Sequence, residues 1–206
     1  MRDQVDHEEG GHVLARRRTA GFGLVEMLIT VSILVIMSAV ALPSLSAWIS
    51  NSRMRAVADA LLAGLRLAQT EAQRRSNNVV FFITSSQACD TNAAAASSGA
   101  YWQARLVPDA LQSIDAQAVQ CGALGDVSAG VTITASANAL CFGADGRQKT
   151  LATPAGLTVS CAVGNSSYLV QRNGGDRRLK ITVSLAGAIR MCDPDKPSTA
   201  PEGCPT

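Results

Sequence analysis

From Phe22 to Leu42 the chain reads FGLVEMLITVSILVIMSAVAL, 21 residues with one charge, Glu26. Coiled as a helix at about 1.5 Å per residue, a run of this length crosses the roughly 30 Å hydrocarbon layer of a bilayer. Arg16, Arg17 and Arg18 stand before it and no comparable basic cluster follows Leu42. That asymmetry predicts a cytoplasmic amino terminus and an exported remainder. A cleavable secretory signal would carry a shorter apolar region and a small-residue cleavage site behind it, for which Ala47 and Ser50 are weak candidates. Glu26 sharpens the constraint, because a carboxylate at the centre of a membrane helix costs about 2.5–3.5 kcal/mol. It calls either for a partner or for a place near the cytoplasmic surface, where it snorkels to water.

Pro43 removes one intrahelical hydrogen bond and permits a bend. Beyond it, Leu45, Trp48, Ile49, Met54, Val57, Ala58, Leu61, Leu62, Leu65, Ala68 and Ala72 recur at helical spacing. Arg53, Arg55, Asp59, Arg66, Glu71, Arg74 and Arg75 take the other faces, so the apolar stripe is expected to pack on a sheet. Acidic residues among the arginines disfavour a membrane-surface or nucleic-acid-binding helix. Asn77-Asn78 stops the pattern. Short β-branched and aromatic runs then predict strands at 79–84, 101–107, 131–134, 157–161, 167–171 and 178–185. Gly143–Gly146 and Asn173–Asp176 read as turns. The alanine-rich stretch 90–99 reads as a flexible loop, with a short helix as the alternative. The expected fold is α+β: a transmembrane helix over 22–43, an amphipathic helix over 44–76, and a mainly antiparallel β domain over 77–206 on which that helix packs.

Lys and Arg total 18 against 16 Asp and Glu, a net charge of +2, which excludes a general polyanion coat. All six cysteines, Cys89, Cys121, Cys141, Cys161, Cys192 and Cys204, fall on the side expected to be exported, where disulfides persist. Cys192 and Cys204 flank the polar, proline-rich DPDKPSTAPEG, and a bridge between them would contribute roughly 3 kcal/mol in the chain-entropy model. The other four allow three pairings, of which Cys89 to Cys121 with Cys141 to Cys161 joins neighbours in sequence. No CxxC pair occurs and no histidine follows His12, so neither a zinc site nor a histidine base is expected in the exported part. GxSxG is absent, and no enzyme activity or cofactor is expected.

Gly21-Phe22-Gly23-Leu24-Val25-Glu26, behind a basic leader and ahead of the apolar run, resembles the class III signal sequence of type IV pilins and type II secretion pseudopilins. The resemblance implies that a prepilin peptidase removes residues 1–21 by cutting between Gly21 and Phe22, and methylates the new terminus at Phe22. It implies that 22–43 stays on as anchor and filament core, and that Glu26 meets the amino terminus of a neighbouring subunit. Gly23 stands where many relatives carry threonine, whereas Pro43 falls where pilins commonly carry proline. Leu140–Arg147 resembles the Phe-x-x-x-Gly-Arg turn of the GspH/FimT-like minor pseudopilins, and Leu179–Ser184 with Gly187–Arg190 resembles their final hairpin.

A minor type IV pilin of the bacterial inner membrane is thereby implied, joining other minor pilins and the major pilin through their amino-terminal helices to assemble or initiate a pilus. A minor pseudopilin of a type II secretion system is the alternative. A further one is a DNA receptor for transformation, because some relatives bind DNA through a Gly-Arg-x-Arg motif. Here Gly187 and Arg190 are present, but Ala188 replaces the first arginine. Arg177, Arg178, Lys180 and Arg190 are the candidate DNA contacts; a solvated hairpin edge guarded by charge is the plainer reading of the same residues.

Overall fold

The structure, a computed structural model, describes residues 21, 23–109, 111, 113–124, 130–172 and 177–205, with the side chains at 40–44, 46 and 47 excepted. The chain divides into two compact units, Met1–Ser44 and Leu45–Thr206. Helix α1, Leu24–Arg75, contributes to both.

In the first unit every described side chain from Leu24 to Ala39 is exposed. The hydroxyl side chains within this stretch donate back to the helix itself: Thr30 to the Met27 carbonyl, Ser32 to Leu28 and Ser38 to Leu34. Self-satisfied hydroxyls make the surface compatible with lipid or with other apolar helices.

Among the described residues, the second unit is built from the remainder of α1 and eight strands: β1 (Val79–Thr84), β2 (Tyr101–Leu106), β3 (Gln117–Ala123), β4 (Val131–Ala135), β5 (Ala139–Phe142), β6 (Ser166–Arg172), β7 (Arg178–Val183) and β8 (Ile189–Cys192). They form two four-stranded sheets, ordered β3-β2-β1-β5 and β4-β6-β7-β8, with every pairing antiparallel. Met54, Val57, Ala58, Leu61, Leu65, Ala68 and Ala72 of α1 share one core with Phe81 and Ile83 of the first sheet and Tyr168, Val170, Ile181 and Val183 of the second. Phe81 ties the layers together, stacking on Trp102 at 5.6 Å and meeting Tyr168 edge-on at 6.1 Å. The amphipathic stripe therefore packs on sheets as expected, but only from Met54. Leu45, Trp48 and Ile49, read as part of it, are exposed.

All six residues of β1 are buried, because this strand is covered on both faces. Its odd-numbered side chains enter the main core. Val80 and Phe82 point the other way, into a second cluster completed by Ala93, Ala155, Leu157 and Cys161. One expectation fails here and another is sharpened, for the same reason. The run 157–161 is not a strand: it makes a single bridge, Leu151 with Cys161, and spends its apolar residues covering the second face. The 90–99 stretch is a loop, as expected, and not the short helix of the alternative, and it is pinned to the sheet. Ala96 pairs with Ile83, and Asp90 Oδ1 accepts from the amides of Asn92 and Ala93. Strands β3, β5 and β8 are additions to the strands read from local pattern, β8 falling where the resemblance implied the second arm of the final hairpin. The Gly143–Gly146 turn is present, closed by the Gly143 amide donating to the Arg147 carbonyl at 2.8 Å. The Asn173–Asp176 turn lies outside the described residues.

Candidate functional site

Glu26 lies in the first turn of α1, where unpaired backbone N–H groups and the helix dipole favour a negative charge. Its side chain is exposed, as is Gly21. Phe22, the expected methylation position, is outside the described residues. Position 43 falls within α1 and its side chain is not described. Among the described residues no helix is long and apolar enough to cross a membrane. The side chains described without interruption, 24 through 39, span about 24 Å of helix, and the sequence runs on apolar to Leu42.

The Gly-Arg turn and the final hairpin meet on α1. Gln69 Nε2 donates to both the Gly146 and the Gly187 carbonyls at 2.8 Å. Both glycines hold positive φ, 73° and 84°, which favours glycine. A Cβ on Gly187 would stand 2.1 Å from the Gly146 carbonyl oxygen. Gln148 completes the seam, donating to the Val183 and Ser184 carbonyls at 3.0 Å. The motif residues thus act as a clasp between helix and both sheets rather than as a ligand pocket.

The structure joins the cysteines as Cys89–Cys121, Cys141–Cys161 and Cys192–Cys204. The last closes a loop strapped further by the Asp193 amide donating to the Glu202 carbonyl at 2.7 Å and by a Lys196–Glu202 ion pair at 2.5 Å. Among the described residues no cluster of His, Cys, Asp and Glu could hold a metal.

The four basic candidates separate into two pairs. Arg177 Nε lies 3.6 Å from Asp193, and Arg178 forms a two-nitrogen pair with Asp195. This contact holds the Asp195 carboxyl below its usual range and raises the Arg178 guanidinium. Lys180 and Arg190 instead line a groove of about 460 Å³ on the outer face of the second sheet, with Ser167, Thr182 and Ser184, and with Pro205 beyond the last disulfide. No carboxylate among the described residues pairs with either.

Sequence reasoning missed Arg105. It sits on β2, 1% exposed, with its guanidinium 5.0 Å from the centre of the Phe82 ring. It donates to the carbonyls of Ala93 (2.9 Å), Asp90 (3.1 Å) and Ala155 (3.2 Å) and to Gln103 Oε1 (3.3 Å). The buried cation ties both covering segments to the sheet, and burial pulls its pKa down. The available signal was the alternation in YWQARLV, which puts Gln103 and Arg105 on one face opposite Trp102.

A helix whose apolar surface opens on an acidic first turn, joined in sequence to a helix-backed antiparallel β unit, defines a pilin-type subunit. Residues 16–42 match the prokaryotic N-terminal methylation motif. Residues 57–187 match the model of the type II transport protein GspH, and the chain belongs to that family. Its members are structural pilins and pseudopilins, and membership implies a membrane-anchored component that assembles with other pilins or pseudopilins through the amino-terminal helix. The fold is similar to that of the Pseudomonas aeruginosa type IV minor pilin FimU, at 18% identity over 76% of this chain and 98% of that one, TM-score 0.47. It is also similar to the Vibrio cholerae minor pseudopilin EpsH (13% identity, 70% and 99% covered, TM-score 0.44) and to Escherichia coli GspH (15%, 70% and 91%, TM-score 0.44). A search of curated protein sequences finds no match.

Proposed function

We propose that the chain is a minor type IV pilin, cut by prepilin peptidase between Gly21 and Phe22, methylated at Phe22, and held in the bacterial inner membrane until it joins other minor pilins and the major pilin in assembling or initiating a pilus. The observation that carries this reading is Glu26 in the first turn of an otherwise apolar, exposed helical surface. In lipid that carboxylate is costly; in a bundle of like helices, a neighbour's amino terminus offers it a charge. The β unit then selects neighbours, and Pro43 gives the helix a place to bend.

The pilus is favoured over a type II secretion pseudopilus by the disulfide-closed loop, which lies beyond residue 187, where the family match ends. It is favoured over a DNA receptor because two of the four cations that reading needs are engaged by Asp193 and Asp195. Intact mass and amino-terminal sequencing of membrane-extracted protein test processing: a methylated Phe22 start is expected, and a start near Ser44 would overturn the reading. Glu26→Leu should leave membrane insertion intact and abolish incorporation into fibres. Wild-type incorporation of that variant would sink the assembly role, and a secretion defect with normal pili would move the chain to the secretion machine.

A further inference from the structure

We propose that the groove on the outer face of the second sheet binds a discrete oxyanion, a phosphate, sulfate or carboxylate group, between Lys180 and Arg190. The sheet register builds the site. Ser167, Thr182 and Arg190 are direct cross-strand partners on β6, β7 and β8. They form a row spaced by about 4.8 Å, the ordinary strand separation. Lys180 is two residues along β7 from Thr182 and on the same face, so its Cα lies diagonal to that of Arg190 at about 7–8 Å. Two long cationic side chains rooted that far apart can close on one anion from two sides, with the Thr182 hydroxyl beside both as a neutral donor and the Ser167 hydroxyl one strand further on, at the β6 side of the groove. The inward-pointing Leu179, Ile181 and Val183 are buried, which holds the floor of the groove rigid. Pro205 and Ser184 supply walls, and the volume suits a small ligand.

Selectivity for a discrete group, as opposed to a long polyanion, follows from the loop closed by Cys192–Cys204. Its Asp193 and Asp195 face Arg177 and Arg178 and cancel the cations that would extend the site along β7. An extended polyanion would gain two contacts where the bare charge count offers four. The inference goes beyond pilus assembly and does not depend on it.

The test uses the full chain, labelled with nitrogen-15, in uncharged detergent micelles. Inorganic phosphate, titrated against sodium chloride at matched ionic strength, should cause saturable shifts centred on the Ser167, Thr182 and Arg190 amides. Lys180→Gln and Arg190→Gln should each weaken binding about tenfold, the scale of one charge-assisted hydrogen bond. Arg177→Gln should leave it unchanged. Binding of glucuronate as well as phosphate would make the ligand any oxyanion, and phosphate alone would narrow it to phosphate esters; both support the site. With a 20-base-pair duplex the logarithm of affinity should fall against the logarithm of salt with a slope of about −2, steepening to about −4 in the Asp193→Asn, Asp195→Asn double variant. Absence of saturable phosphate shifts, full affinity in Arg190→Gln, or a slope already near −4 in the unaltered chain would overturn the proposal.

Discussion

Replacing Arg105 by methionine removes a cation that three backbone carbonyls share. The Asp90 carbonyl keeps a donor, Gln103 Nε2 at 2.7 Å, but those of Ala93 and Ala155 lose the one shown for each. Each stranded buried acceptor costs about 1–3 kcal/mol. Against this, methionine spares the desolvation of a buried guanidinium, worth several kcal/mol in principle. The carbonyls decide the balance. They belong to the backbone, cannot be exchanged for apolar groups, and make this a case of removing one partner rather than both. The expected net loss is about 2–4 kcal/mol. Urea unfolding of the oxidised full chain in micelles, followed by Trp102 fluorescence in a Trp48→Phe background, measures it. Amide exchange locates it: Ala96, which donates to the Ile83 carbonyl at 2.7 Å, should lose protection while β7 and β8 keep theirs. A loss below about 0.5 kcal/mol with Ala96 still protected would refute the view that Arg105 ties the covering segments down.

Gly187→Ala should destabilise by at least about 3 kcal/mol, combining left-handed backbone strain with loss of the Gln69 clasp. Gly156→Ala, at φ 75° with nothing within 4 Å of the added carbon, should cost only the backbone share of about 1 kcal/mol; equal costs in urea unfolding would remove the clasp from the account. Hydrogen bonds from Arg74 and Arg75 hold the Glu71 carboxyl at about 2, below its ordinary 4.5. A depressed carboxylate stabilises above the unfolded value and loses that contribution as pH falls from about 4.5 to 2. Arg74 is 60% exposed, so the contribution is screened to no more than about 1 kcal/mol. Glu71→Gln should flatten the stability profile in that window alone, and an unchanged slope in thermal melts there would count against the triad.

The elements differ in how far local pattern could carry them. Strand β1 is readable with its bounds because six consecutive apolar or β-branched residues between Asn78 and Ser85 satisfy a strand covered on both sides. Residues 157–161 show an equally good pattern and are not a strand, since apolar residues that cap the back of a sheet look locally like residues within one. Gln117–Ala123, polar on one side and small on the other, becomes β3 through pairing with β2, where Gly122 lets the Trp102 indole lie against the backbone. The basic residues of the last hairpin could be counted from sequence, but their pairing could not. Asp195 is 17 positions from Arg178, and only the disulfide-closed loop brings it back.

Hydropathy, charge asymmetry and helical spacing, all local in the chain, suffice to predict an anchor with a carboxylate within it, to read the amphipathic helix and to predict that the six cysteines are exported. Each follows from how one segment partitions between water and an apolar phase, and that requires no knowledge of neighbours. Which cysteines meet, which arginines are neutralised, and why a full cation lies beneath an alanine-rich loop depend on distances between segments remote in sequence. Those distances exist only once the two sheets and the helix have closed around Phe81, because burial and electrostatic pairing act through space and not along the chain.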